Sequence, residues 1–135
     1  MQYDYIVIGS GSGGSAVAGR LSEDGRTTVC LLEAGGKDLH PFIHIPVLFP
    51  HLLTNPKTTW LRKSEPVPGL NGRRMFFPSG KVLGGSSSIN GMLYIRGQAQ
   101  DYDNWREAGN NGWGWEDILP YYKKMEDHAH GGNDA

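Results

Sequence analysis

Cysteine is almost absent from this chain, strong charge of either sign is missing, and no apolar run is long. The single cysteine, Cys30, excludes an internal disulfide framework, and its place in an apolar run predicts a buried core thiol. A net charge of -1 and a pI near 6.5 offer none of the basic excess expected of a nucleic-acid binder. No stretch approaches the ~20 apolar residues of a transmembrane helix. The first strand is expected within a few residues of Met1, which leaves no room for a signal or transit peptide. These absences favour a cytoplasmic protein and leave peripheral membrane association open.

What is abundant is glycine. The chain has 135 residues, the length of one domain or a piece of one, and 20 of them are Gly. They cluster, which points to backbone that approaches something closely. Hydrophobic content of 38%, with four Trp and six Tyr, is that of a globular chain.

The opening residues carry the clearest pattern. Tyr5 to Ile8 is apolar throughout, as in a strand covered on both faces. A Gly/Ser run, Gly9 to Gly14, leads into a helical stretch, Ser15 to Leu21, with Val17 and Leu21 on one face. Glu23-Asp24-Gly25 closes it, Gly25 in the left-handed position. Thr28 to Leu32 reads as a second buried strand, parallel to the first because a helix joins them. The fold class is therefore α/β, with a βαβ unit over residues 1–36.

Residues 37–79 differ, because most of the eight Pro fall there and long regular elements are unfavourable. Asn71-Gly72 marks a tight turn between short strands expected around Glu65–Val67 and Arg74–Phe77. Over residues 80–127, Gly and Ser return around apolar residues. Helices are expected at Asp101–Ala108 and Trp115–Asp127, the second with Trp115, Leu119 and Tyr122 on one face and a kink or first-turn position for Pro120. The tail from His128 reads as a frayed end.

Gly9, Gly11 and Gly14 fit G-x-G-x-x-G between strand and helix. The first permits the turn, the second lets backbone approach a pyrophosphate, and the third lets helix pack on strand. Ser10 and Ser12 fill the loop, and the phosphates would meet free N–H groups at the helix start. Glu33, about 20 residues beyond the turn and followed by Ala34, is placed to accept hydrogen bonds from ribose hydroxyls. Its charge also disfavours a 2′-phosphate. The alternative is that Glu33 merely terminates a strand. The cradle alone cannot separate FAD from NAD, since both share the ADP half.

A second motif bears on that choice. GKVLGGSSSIN at residues 80–90, continued through Tyr94, Gly97 and Asp103, resembles the glucose–methanol–choline (GMC) oxidoreductase family. The resemblance extends to YDYIVIGSGSGGSAVAGRLSE at the start, LLEAG at 31–35 and DYDNW at 101–105. Choline dehydrogenase-like and alkanol dehydrogenase-like members are nearest in appearance. It implies the amino-terminal part of a Rossmann-like FAD-binding domain and oxidation of an alcohol to a carbonyl. It also implies that Val82 and Asn90, Gly91, Met92 and Leu93 lie at the isoalloxazine end, largely through backbone. Gly84 and Gly85, with the three small residues Ser86, Ser87 and Ser88, leave room for a flat ring and supply donors for its polar edge.

Some relatives attach flavin through a His in this segment. Here Ile89 stands before Asn90, so noncovalent FAD is expected. The family's catalytic His, with its His or Asn partner, comes from near the end of a much longer chain, beyond an intervening substrate domain. None of the five His here matches it, and no catalytic residue is assigned. His40 and His44 have ligand-like spacing, but Pro41 and the lack of a completing cluster argue against a metal. Asp101, Asp103 and Asp117 are read as helix starts, and Glu116-Asp117 and Glu126-Asp127 as solvated ends. Phe42, Phe49, Trp60 and Tyr94 are candidates for an access path or for core packing. The rival readings are an NAD-dependent dehydrogenase and a noncatalytic nucleotide binder.

Overall fold

The computed structural model describes residues 2–127 together with Ala129 and Gly131. The expectation of a frayed tail, and with it His128 and His130, falls almost wholly outside those residues. The chain divides into two compact units, one ending at Leu93 and the other beginning at Tyr94.

The first unit opens with β1 (Tyr5–Ile8), α1 (Ser12–Leu21) and β2 (Val29–Leu32). The strands are parallel, with Tyr5 opposite Val29 and Ile8 opposite Leu32. Helix α1 starts three residues earlier than the apolar spacing suggests, because Gly13 and Gly14 are taken into its first turn. The cap of α1 is Ser22 and not Gly25, which stands three residues beyond it at φ 68° in the next turn, its N–H donating to Ser22 O at 3.1 Å. Val7 points to α1 and is half-buried, whereas Ile6 and Ile8 alternate to the other face and are exposed. The reading of β1 as covered on both faces is thus corrected. Only one face carries a helix, and Ile8 retains 85% of its accessible surface. Cys30 is likewise only partly buried, not a core thiol, and Val17 on α1 is exposed.

The Pro-rich stretch folds into short turns, Pro41–Ile43 and Pro46–Leu48, then the one-turn helix α2 (Phe49–Leu52). An antiparallel pair follows, β3 (Thr59–Lys63) with β4 (Phe76–Gly80). The expected hairpin is present, but its arms lie farther from the tip than the strands expected at 65–67 and 74–77. Pro66 and Pro68 lack the N–H groups a ladder needs, so only the Val67–Arg73 bridge survives near the tip. The tip is the Asn71-Gly72 turn, both residues at positive φ (54° and 74°), closed by Arg73 N–H donating to Leu70 O at 3.1 Å.

Leu52, Val82 and Ile89 form the buried cluster of this unit, flanked by Ile43 and Leu53. Thr58 and Thr59 are also buried, and their hydroxyls donate to Leu52 O. The Pro-rich excursion is thereby tied to the Gly/Ser-rich segment that follows it.

In the second unit α3 (Ala99–Glu107) and α4 (Trp115–Met125) pack through aromatics. Tyr102 stacks near Trp105, Trp115 and Tyr122, and its hydroxyl meets that of Tyr122 at 2.5 Å. Asp101 and Asp117 act at helix starts as expected, accepting from Gln98 N–H and Gly114 N–H. Asp103 does not. It sits inside α3 and accepts from Trp115 N–H at 3.2 Å while pairing with Arg106. Glu126 is not simply solvated either, because it pairs with Arg96. Pro120 lies in the middle of α4, which continues through it with one backbone bond lost.

Candidate functional site

Strand β1 ends at Gly9, whose φ of 96° turns the chain sharply toward α1. Gly9 N–H donates to Leu32 O at 2.7 Å, which holds the turn against the end of β2. At Gly14 a Cβ would lie 1.9 Å from Gly9 O, so only glycine allows this approach of helix to strand. Gly11 precedes α1 and gives it no side-chain cap. The first-turn N–H groups, which have no intrahelical partners, are thus left without a side-chain cap and offer the positive end of the helix dipole to an anion.

Glu33 stands at the end of β2, beside this turn. Its Oε2 accepts from Ser10 N–H at 2.9 Å and from the Ser10 hydroxyl at 2.7 Å. Its Oε1 accepts from Gly35 N–H at 2.8 Å. Partial burial opposes its charge, but the bonds from Ser10 and Gly35 outweigh burial and hold its pKa below the usual glutamate value. Both oxygens keep acceptor capacity for hydroxyls of a ligand.

The sign of the resulting pH dependence follows. A carboxylate with a lowered folded pKa contributes its stability above the ordinary value, and loses it as pH falls through the lowered one. Thermal unfolding of the wild type should therefore show an acid limb that begins around the ordinary glutamate value and is complete only below the lowered one. Glu33→Gln should be less stable near neutrality and show a shallower limb. Parallel profiles for the two proteins would refute the assignment.

The Gly/Ser-rich segment closes the site from the other side. Lys81 N–H donates to Thr58 O at 2.7 Å, and Leu83 N–H to Gly36 O at 2.9 Å beside the Gly36–Val82 bridge. Val82 is 2% exposed, packs with Leu52 and Ile89, and lines neither recess described below. Gly84, at φ 88°, turns the chain so that its N–H donates to the Ser10 hydroxyl at 3.2 Å. A Cβ on Gly85 would stand 2.7 Å from Gly11 Cα. The Ser12 and Ser87 hydroxyls meet at 2.5 Å. Two glycine turns, 70-odd residues apart in sequence, are thus in backbone contact.

Between them runs an open groove of about 600 Å³. Gly9, Gly11, Glu33, Ala34 and Gly85 line it, as does Ile8. So do Trp60, Arg62, Gly80 and Ser86. Ser10 does not line it, being 1% exposed beneath the turn. A second recess of about 240 Å³ gathers Ser87, Asn90 and Met92 with Asp38, His44 and Phe49. There Asn90 Oδ1 accepts from Met92 N–H at 2.8 Å, Met92 holds φ 58°, and Gly91 faces the Phe49 ring. Leu93 lines neither and is 85% exposed.

Arg62 was not legible as a site residue, whereas Gly80 and Ser86 fall in the motif read at residues 80–90. Trp60 and Arg62 sit two apart on β3 and so share a face, but only a strand assignment at 59–63 would reveal it. The Lys81 ammonium lies 4.4 Å from the Trp60 ring centre. His40 and His44 are engaged locally, His40 Nδ1 accepting from Phe42 N–H and His44 Nε2 contacting Asp38 O.

This geometry has a family counterpart: the profile of the GMC oxidoreductases matches residues 3–132. The chain is a member of the GMC oxidoreductase family. The oxygen-dependent choline dehydrogenase of Sinorhizobium fredii is 55% identical over 135 residues, covering 100% of this chain and 24% of that protein. Pyridoxine 4-oxidase from Mesorbium loti has a TM-score of 0.87 and 38% identity, over 97% of this chain and 26% of the oxidase. An FAD-dependent oxidoreductase from Chaetomium thermophilum has a TM-score of 0.74 and 38% identity, over 91% and 21%. These GMC neighbours have the Rossmann-like architecture expected from the opening βαβ unit. The chain spans about a quarter of the length of the curated relatives it matches.

A flavin dinucleotide fits the residues present. The Gly14 and Gly85 positions leave no space for side chains, α1 offers an uncapped amino end, and Glu33 retains free acceptors beside the same groove.

Proposed function

We propose that this chain is the FAD-binding portion of a flavin-dependent oxidoreductase acting on the CH–OH group of alcohols. The observation that carries the reading is the single groove shared by the Gly9–Gly14 turn, Glu33 and the Gly80–Gly85 segment. Gly9, Ser10, Gly11, Ser12 and Gly14 form the pyrophosphate end, with Glu33 and Ala34 at the adenosine ribose. Trp60 offers an apolar face on the same wall. Val82, Gly84, Gly85, Ser87 and the stretch Asn90–Leu93 serve the flavin end. Bound flavin supplies an acceptor for the hydride equivalent of an alcohol carbon.

Attachment is noncovalent. Ile89, at the position where some relatives carry a flavin-linked His, is aliphatic and 2% exposed in the core. His40 and His51 line neither recess, and His44, which borders the second, contacts Asp38 O; the acid–base group for alcohol oxidation is assigned to the part of the family's length that this chain does not span. Choline is the first alcohol to test, since relatives at 50–55% identity are choline dehydrogenases. Among the described residues no helix is long and apolar enough to cross a membrane. The lone cysteine is compatible with a reducing compartment.

The test begins with visible absorbance of the purified chain after incubation with FAD and gel filtration. Flavin absorbance that co-elutes, and is released by acid denaturation, is expected. Nicotinamide dinucleotide retained in place of flavin would overturn the reading. Extending the chain with the remaining family sequence should then bring choline oxidation with reduction of the flavin. Flavin binding without turnover of any alcohol by the extended protein would favour a noncatalytic binder.

A further inference from the structure

Ser10 occupies the first variable position of G-x-G-x-x-G, where any small residue satisfies the turn. Yet it is among the most buried residues of the chain, at 1% exposure, and every polar atom it has is engaged. Its N–H donates to Glu33 Oε2, and its carbonyl accepts from the Ser15 hydroxyl at 2.8 Å. Its hydroxyl donates to Glu33 Oε2 and at the same time accepts from Gly84 N–H. The direction is fixed, because a carboxylate only accepts and an amide N–H only donates. A hydroxyl is the smallest side-chain group that can stand between them. Each bond in such a chain polarises the next, and the charge of Glu33 strengthens both.

We propose that Ser10 is a positioning residue that couples the ribose-binding carboxylate to the flavin-side turn at Gly84. This inference rests on the flavin reading above. Through Ser10, the orientation of Glu33 and the position of the Gly84-Gly85 backbone become one structural variable. Adenosine binding at one end of the groove then sets the backbone at the other. Alanine at this position removes one bond to the carboxylate and leaves Gly84 N–H without its acceptor. Serine is thus held here by the coupling, and the turn alone does not require it.

The experiment is a double-mutant cycle in the full protein, reading the FAD dissociation constant and the vibronic resolution of the long-wavelength flavin band. Ser10→Ala should weaken FAD binding about tenfold, the scale of a hydrogen bond to a charged group. It should also blur the flavin band, although Ser10 serves the adenosine end. In a Glu33→Gln background the further effect of Ser10→Ala should shrink to about twofold or less. The same tenfold loss in both backgrounds, or no loss in either, would overturn the coupling. Should Ser10→Ala not fold, Ser10→Cys keeps the side-chain shape, slightly enlarged, with a weaker donor and acceptor. Several-fold weaker FAD binding is then expected, and unchanged affinity refutes the proposal. A wild type that binds no flavin overturns the reading and the inference together, whereas a flavin-binding wild type with additive variants overturns the inference alone.

Discussion

Gly14→Ala is expected to destabilise the amino-terminal unit by about 3 kcal/mol and to reduce FAD retention about 100-fold, whereas Gly13→Ala next to it leaves both intact. The contrast comes from the backbone of the turn. A methyl at Gly14 would stand 1.9 Å from Gly9 O and 3.1 Å from Gly9 C. Neither atom can retreat, because Gly9 is the pivot between β1 and α1 and its N–H is bonded to Leu32 O. Relief requires lifting α1 from the strand, which moves the uncapped first turn away from the phosphates. At Gly13 nothing lies within 4 Å of the added methyl. Alanine there should stabilise α1 slightly, by about 0.5–1 kcal/mol, because it restricts the unfolded chain. Thermal unfolding and flavin absorbance of the two variants, purified in parallel, decide the matter. Similar behaviour would mean that α1 does not pack as closely as its glycine implies.

The first motif was legible because its logic is local. Three glycines at fixed spacing, a strand before and a helix after occupy a few consecutive residues, and each has one physical purpose. The βαβ unit and its parallel pairing followed from the same stretch. The hairpin was legible only at its tip, since Asn71-Gly72 states its turn geometry while the ladder depends on where prolines forbid pairing. Trp60 stood out only as an aromatic for an access path or core packing, and its strand with Leu61 and Arg62 gave no signal, because alternation over so short a span needs the partner strand to make it visible. Burial was harder still. Ile6, Ile8 and Cys30 read as core, and their exposure reflects how many layers cover the sheet, which no local pattern encodes. Asp103 looked like a helix start because Asp is a favoured residue at the amino end of a helix. Its bond to Trp115 N–H is a contact between two helices, invisible without the aromatic packing around Tyr102. Ser10 illustrates the same limit within the site, since its sequence position suggested a ligand contact and its environment places it underneath.

The second large effect concerns a glycine outside the G-x-G-x-x-G pattern. Gly35→Ala should unfold or grossly loosen the site, with loss of FAD retention comparable to that of Gly14→Ala, while Gly36→Ala should be close to neutral. A Cβ at Gly35 would fall 2.1 Å from Lys81 C, 2.2 Å from its O and 2.3 Å from Val82 N. All three are backbone atoms, and they cannot swing aside as a side chain could. They belong to the segment pinned by Lys81 N–H to Thr58 O and by Leu83 N–H to Gly36 O. Pushing that segment outward would break the Gly36–Val82 bridge and draw Val82 from the buried cluster it shares with Leu52 and Ile89. The same displacement removes Gly35 N–H from Glu33 Oε1, so the ribose carboxylate loses a partner as the flavin-side turn moves away. Gly36 has open space at its Cβ position and no positive φ, although its backbone makes the bridge itself. Hydrogen exchange at the Leu83 and Gly85 amides is the direct readout. Faster exchange in Gly35→Ala with wild-type protection in Gly36→Ala is expected. Equal protection in both would show that the ribose and flavin segments do not depend on this contact.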